Sequence, residues 1–237
     1  MHYPPLSACN GFDWTQIASI PIAECHAPLE RLTGQLRLRL RPIYYQQGIS
    51  GALPGIFLRA PVIERLNAAL SLLPAAYGLE ILDGWRPVAV QIALRESFRS
   101  RIITRHPEYT EAQIQTALDQ FVANPSRRDM PPPHLTGGSV DLTLFDTATG
   151  NTLDMGTAFD EPSRRSYSST LEAEAPSAAQ QHRRILIHTM TAAGFTNLPS
   201  EWWHFDFGNQ NWAFFGRRPH AVFGAAQPPR ANRVQTA

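Results

Sequence analysis

The spacing of hydrophobic and polar residues changes period several times along this chain, and each change marks an element. Leu36-Arg37-Leu38-Arg39-Leu40 alternates apolar and basic residues, the two-residue period of a half-buried strand with solvated arginines. From Pro61 to about Ala76, Val62, Leu66, Ala69, Leu70 and Leu73 recur at helical spacing, with proline in the tolerated first turn and Gly78 as the stop. Leu79-Glu80-Ile81-Leu82 then reads as a buried strand. Amphipathic helices are predicted over 88–105 and 111–123, separated by His106-Pro107 and ended by Asn124-Pro125. A strand from Val140 to Leu144 puts Asp141, Thr143 and Phe145 on one face and Val140, Leu142 and Leu144 on the other. Asp146 to Asn151 is a turn cluster, 162–176 a serine-rich loop, and 177–193 a helix that Gly194 stops. Glu201 to Phe207 reads as a loop entering a final strand, and Phe214 and Phe215 fit either a core or an interface.

Bulk properties narrow the field. A length of 237 residues with 43% hydrophobic content suits one domain, here expected over 31–216, with an N-terminal extension at 1–30 and a flexible tail at 217–237. The 21 basic and 20 acidic residues nearly cancel, so no positive field exists to draw the chain to nucleic acid. Cys9 and Cys25 are too few for a disulfide framework or a cysteine-rich metal site, and are expected to be reduced thiols. No apolar run approaches a membrane span and no leader pattern opens the sequence, so no membrane partner and a cytoplasmic setting are expected.

Two islands carry the chemistry: His134-Leu135-Thr136-Gly137-Gly138-Ser139-Val140-Asp141 and Glu201-Trp202-Trp203-His204. They supply two imidazoles, a carboxylate six residues past the first, and a glutamate three residues before the second. Three nitrogen and oxygen ligands suit a zinc ion that keeps one position open for water, whose pKa then falls toward ~7. The glycine pair lets the backbone turn sharply enough for His134 and Asp141 to reach one ion. The spacing of Glu201 and His204 would send them to opposite faces of a flat strand, so Glu201 has to sit on the loop to share the site. From there it could take a proton from water and pass it to a leaving amine. No Gly-x-Ser-x-Gly elbow is present, which favours metal-bound water over a side-chain nucleophile.

Other candidates are weaker. Arg86, in Asp83-Gly84-Trp85-Arg86-Pro87, is either a surface guanidinium paired with Asp83 or an inward-facing anion clamp. His106 suits a helix end, and His182 and His188 lie six apart on one helix, off a common face. Tyr44 to Gly51 reads as a loop that lines a pocket or simply packs, and core packing is preferred for at least one of the two tryptophans.

Four motifs, Asp83 to Pro87, His134 to Leu144, Asp154-Met155-Gly156-Thr157-Ala158-Phe159-Asp160 and Glu201 to His204, resemble in order and spacing those of the D-alanyl-D-alanine dipeptidases. The likeness spans about residues 40–215, and the wider superfamily includes zinc D,D-carboxypeptidases and the Hedgehog signalling domain. It implies a single α+β domain with a small, mainly antiparallel sheet surrounded by helices. It also implies one zinc held by His134, Asp141 and His204, with Glu201 as base, Arg86 stabilising the oxyanion and Asp160 meeting the substrate ammonium. Glu-Trp-Trp-His and Asp-Gly-Trp-Arg-Pro look like the dipeptidase branch, which makes free D-Ala-D-Ala the expected substrate. Two departures bear on specificity: Pro132 stands where relatives often carry a small hydroxyl residue, and the Tyr44-Tyr45-Gln46-Gln47 stretch is unlike the usual pocket loop. The alternatives are a carboxypeptidase or endopeptidase acting on longer muropeptides, and a zinc-bearing binding module without turnover.

Overall fold

The computed structural model describes residues 3–9, 11–121, 125, 127 and 129–227. In chain order the elements are α1 (Trp14–Ala18), β1 (Leu29–Arg31), β2 (Leu38–Leu40), α2 (Ile43–Gln46), β3 (Phe57–Arg59), α3 (Ala60–Leu72) and β4 (Tyr77–Asp83). They continue as α4 (Val88–Arg105), α5 (Glu111–Phe121), β5 (Ser139–Asp146), α6 (Ala178–Ala192), β6 (Thr196–Asn197), β7 (His204–Asp206) and α7 (Gln210–Phe215). Among the described residues, five strands form one sheet in the order β2-β4-β5-β7-β6, in which only β2 and β4 run parallel; β1 and β3 make a separate antiparallel pair. The architecture is the expected α+β arrangement.

The sheet's two faces differ as strand alternation requires. Leu79, Ile81, Val140, Leu142 and Leu144 point to one side and are sealed there with Val62 and Leu66 of α3 and Leu186 and Met190 of α6, all at 0% exposure. Each such aliphatic side chain contributes about 1.5–3 kcal/mol by leaving water. The other face carries the polar row Glu80, Ser139, Asp141, Thr143, His204 and Asp206, all buried, and it is here that the functional groups gather. Near the end of β4 the register shifts between Ile81 and Asp83, so that Asp83 pairs with Asp141. This bulge re-aims Asp83 onto the polar face, where an unbroken strand would have turned it toward the helices.

Several expectations need correcting. The helix begun near Pro61 ends at Leu72, because Pro74 cannot continue it, and Gly78 lies inside β4. Gly78 is there for packing: a Cβ would sit 2.3 Å from two ring atoms of Phe145 and 2.9 Å from the Arg37 carbonyl oxygen. Only Leu38–Leu40 of the alternating segment is strand, and Leu36 is 96% exposed. Ile43–Gln46 forms one helical turn within the stretch read as loop. The expected helix end at Asn124 lies outside the described residues.

The described parts of both flanks are packed onto the domain. Ile17, Ala221 and Phe223 are buried, and Ala23 and Cys25 donate backbone hydrogen bonds to Ala221 and Val222. Buried Arg59 ties the two segments down, donating to the carbonyls of Ala27 and Gly224 and pairing with Glu24 at 3.3 Å. Ala221, Phe223 and Ala226 are thus packed on the domain within the stretch expected as a flexible tail, 217–237; 217–220 are exposed, and 228–237 lie outside the described residues. Phe214 and Phe215 are half-buried, and Phe215 packs edge-on against Phe12 at 5.3 Å. Cys9 and Cys25 are unpaired thiols.

Candidate metal centre and substrate pocket

Asp141 and His204 face each other in register across β5 and β7. His134 joins them from the 3₁₀ turn Pro133–Thr136, which exits through Gly137 at φ +70, a conformation glycine adopts without a Cβ penalty. A Cβ at 137 would also lie 2.5 Å from Leu29 Cδ2. All three side chains are buried among protein atoms yet line one pocket.

The hydrogen bonds behind the two imidazoles define which nitrogens face forward. His134 Nδ1 donates to the Gly84 carbonyl at 2.8 Å, leaving Nε2 with its lone pair. His204 Nε2 lies 3.1 Å from both oxygens of Asp206, leaving Nδ1. The two forward nitrogens are 3.2 Å apart, His134 Nε2 is 3.3 Å from Asp141 Oδ2, and His204 Nδ1 is 3.1 Å from Asp141 Oδ1. A tetrahedron with metal–ligand bonds of ~2.0–2.1 Å has edges of about 3.3 Å. Two lone pairs and a carboxylate converging at this spacing repel one another unless a cation or a proton lies between them. The donor set fits zinc, as does the 3.2 Å edge between the two nitrogens; the other two spacings run to the two different oxygens of Asp141.

The protein's own charges reflect that crowding. Burial alone would raise the Asp141 carboxyl, but His134 and His204, by attraction and hydrogen bonds, hold it far below the usual range. Burial alone would lower His204, and Asp206 together with Asp141 outweighs it, holding that imidazole well above its ordinary value. Burial pushes the Glu201 carboxyl up to about 8, against the pull of His204. Asp160 is raised first by burial, with Asp141 adding to the rise and Arg86 and Tyr44 opposing it.

Glu201 sits in the turn before β7, its Oε2 4.0 Å from His204 Nδ1, so the loop position demanded by its spacing is where it lies. Arg86 makes the expected pair with Asp83 but is mostly buried and turned inward, not a surface guanidinium. Its side chain is only 10% exposed, with Nε donating to Asp83 at 2.8 Å and Nη1 to Gln91 at 2.8 Å. Its Nη2 reaches inward, 3.4 Å from Asp141 Oδ2 and 3.5 Å from the Tyr44 hydroxyl. Tyr44 also donates to Asp160 Oδ2 at 3.1 Å, and its ring lies under the Arg86 guanidinium at 4.9 Å. Asp160 holds φ +62, a left-handed conformation tolerated best by short polar side chains. Trp203 lines the pocket and packs edge-on against Phe159, whereas Trp202 is a core residue that donates its indole N–H to Thr157.

The structure thus brings together all six residues singled out for the site: His134, Asp141, His204, Glu201, Arg86 and Asp160 line one pocket of about 290 Å³. His182 and His188 stand apart, each hydrogen-bonded to a backbone carbonyl, and His106 caps the end of α4 stacked on Tyr109. Tyr44, read only as lining a pocket or packing, is drawn in by Arg86 forty-two residues away, and Gln91, five residues after Arg86 on α4, was not singled out. Asp206 was overlooked as well, although its place two residues after His204 on a strand was a usable signal.

A buried His-Asp-His set with a carboxyl beside it and an arginine 3.4 Å from its aspartate has the composition of a metallopeptidase centre. The sequence pattern of the family described as D-ala-D-ala dipeptidase matches residues 55–223, and the chain belongs to that family. A D-alanyl-D-alanine dipeptidase of Synechocystis is 33% identical over 228 residues, covering 85% of this chain and 90% of its own length. The Escherichia coli enzyme of the same name is 47% identical over 73 residues, 31% of this chain and 36% of its own. Among solved structures, a vancomycin-resistance D,D-pentapeptidase VanY in complex with Zn(II) aligns over 85% of this chain and 93% of that one, with a TM-score of 0.47 and 13% identity.

Proposed function

We propose that this chain hydrolyses the free dipeptide D-Ala-D-Ala to two molecules of D-alanine at one zinc ion held by His134, Asp141 and His204. The observation that carries the reading is the convergence of two imidazole nitrogens, 3.2 Å apart and so close to a tetrahedral edge, on the Asp141 carboxylate, whose Oδ2 lies 3.3 Å from His134 Nε2 and whose Oδ1 lies 3.1 Å from His204 Nδ1. Zinc, when bound, supplies a Lewis acid that brings a water's pKa toward ~7 and polarises the scissile carbonyl.

The chain's own groups do the rest. Glu201 takes a proton from the attacking water and delivers it to the amine nitrogen as the C–N bond breaks and the new C–O bond forms. A carboxyl pushed up by burial is a stronger base than an exposed one; at about 8 it is mostly protonated near neutrality in the metal-free chain, and a bound cation would lower it and leave it ionised for this role. The Arg86 Nη2 edge is directed at the oxygen on which negative charge develops, with Nε and Nη1 anchored by Asp83 and Gln91 so that little reorganisation is needed. Asp160, oriented by the Tyr44 hydroxyl, receives the substrate's free ammonium. Trp203 and the buried walls restrict water around these charges.

The ammonium contact separates this reading from a carboxypeptidase. D-Alanine release is measured from free D-Ala-D-Ala and from its N-acetylated form. Cleavage of the free dipeptide with little of the acylated one supports the dipeptidase; preference for the acylated peptide moves the activity to longer muropeptides, and inertness toward both leaves a binding module.

A further inference from the structure

Behind the three donors lies a second row of side chains that the proposed reaction does not touch. Strand alternation places Ser139 two residues before Asp141, and Asp206 two residues after His204, on the same sheet face. The register that sets Asp141 opposite His204 also sets Ser139 opposite Asp206. The four side chains thus form a two-by-two array, one row facing the pocket and the other behind it.

Asp206 is wholly enclosed, at 0% exposure. Its Oδ1 accepts from Ser139 Oγ at 2.6 Å and from Asn209 Nδ2 at 2.6 Å, and its Oδ2 accepts from Asn211 Nδ2 at 3.1 Å. Both oxygens lie 3.1 Å from His204 Nε2. Asn209 is itself fixed, donating to Ser139 Oγ at 2.9 Å and capping α7 through Trp212 N at 3.0 Å. Each partner that surrounds the carboxylate is a donor, which suits a group that only accepts. The polarity of this network requires the proton of His204 to sit on Nε2.

We propose that Asp206, seated in the Ser139–Asn209–Asn211 cradle, is the positioning residue that fixes the tautomer and ring orientation of His204 and so presents Nδ1 as a zinc ligand. This inference rests on the zinc reading above. Enclosed behind the imidazole, Asp206 has no path to substrate or water, so its influence runs through His204. Outer partners of this kind typically contribute 10- to 100-fold to metal affinity. Asp206→Asn keeps the shape but turns one acceptor oxygen into an NH₂ that faces donors, so the cradle and His204 can no longer all be satisfied. Ser139→Ala removes one donor and leaves the carboxylate in place.

The test is zinc affinity of the full chain by chelator competition, in wild type, Asp206→Asn and Ser139→Ala, beside nitrogen-15 NMR of the histidine rings in zinc-loaded protein. The expected result is affinity weakened ~10- to 100-fold in Asp206→Asn, a smaller loss of the same sign in Ser139→Ala, and His204 bound through Nδ1 with a protonated Nε2. A merely structural role would lower the unfolding midpoint while leaving affinity and the ring-nitrogen pattern unchanged in the folded variants, which overturns the inference. So does coordination of His204 through Nε2. Should Asp206→Asn fail to fold, the Ser139→Ala affinity and the wild-type spectrum carry the test. A wild-type chain that binds no zinc overturns the zinc reading itself, and this inference with it.

Discussion

Replacing Glu201 with glutamine is expected to make the zinc-free fold more stable while abolishing activity. Burial lifts this carboxyl from an ordinary 4.5 to about 8. Its folded pKa is thus raised above its unfolded one, so the stability wild type has below about pH 4.5 is lost progressively as pH rises through 8. At about 1.4 kcal/mol per pH unit, the ceiling on that loss is about 5 kcal/mol. Two effects reduce it: the side chain keeps 14% exposure, and the glutamine amide must itself be desolvated. A gain of about 2 kcal/mol at pH 8.5 is expected for Glu201→Gln, shrinking to near zero at pH 4.5. Urea unfolding of both proteins in chelator, at several pH values, measures it, since a bound cation would lower the carboxyl and mask the effect. Equal stability of the two proteins at pH 8.5, or a less stable variant, would refute the claim that folding holds this base in an unfavourable place for the sake of chemistry.

Arg86→Lys should keep a positive charge near Asp83 and Asp141 but lose the fixed planar donor, lowering kcat about 10²-fold with KM changed far less; steady-state kinetics on the free dipeptide check the split. Asp160→Asn should raise KM for D-Ala-D-Ala at least tenfold and narrow the preference over the N-acetylated dipeptide, because the ammonium loses its counter-charge. Gly78→Ala drives a methyl to 2.3 Å from the Phe145 ring and 2.9 Å from a backbone carbonyl, so a destabilisation of about 1–3 kcal/mol is expected in thermal unfolding.

What the sequence disclosed depended on how local the cause was. Val140, Leu142 and Leu144 announce their common face by period alone, and α4 is found over its predicted span because its caps and breakers are local signals. The candidate site was legible because two short islands hold the proposed ligands His134, Asp141 and His204 and the proposed base Glu201, each island within a few residues. Gly78 misled because its role is set by Phe145, sixty-seven residues away, so a packing glycine looked like a helix stop. The stretch 221–226 misled for a similar reason, since Phe223 and Ala221 find their partners in Gly208 and in residues 21–25 near the other end of the chain. The bulge that turns Asp83 toward Arg86 also has no sequence signature, because register is a property of two strands.

The most direct measurement is a zinc titration of chelator-stripped protein, following D-alanine release from free D-Ala-D-Ala. The account predicts no release without metal, a linear rise to a plateau at one zinc per chain, and no recovery at any zinc concentration in a His204→Ala variant. Undiminished hydrolysis by the stripped protein, or none at one equivalent of zinc, would contradict it.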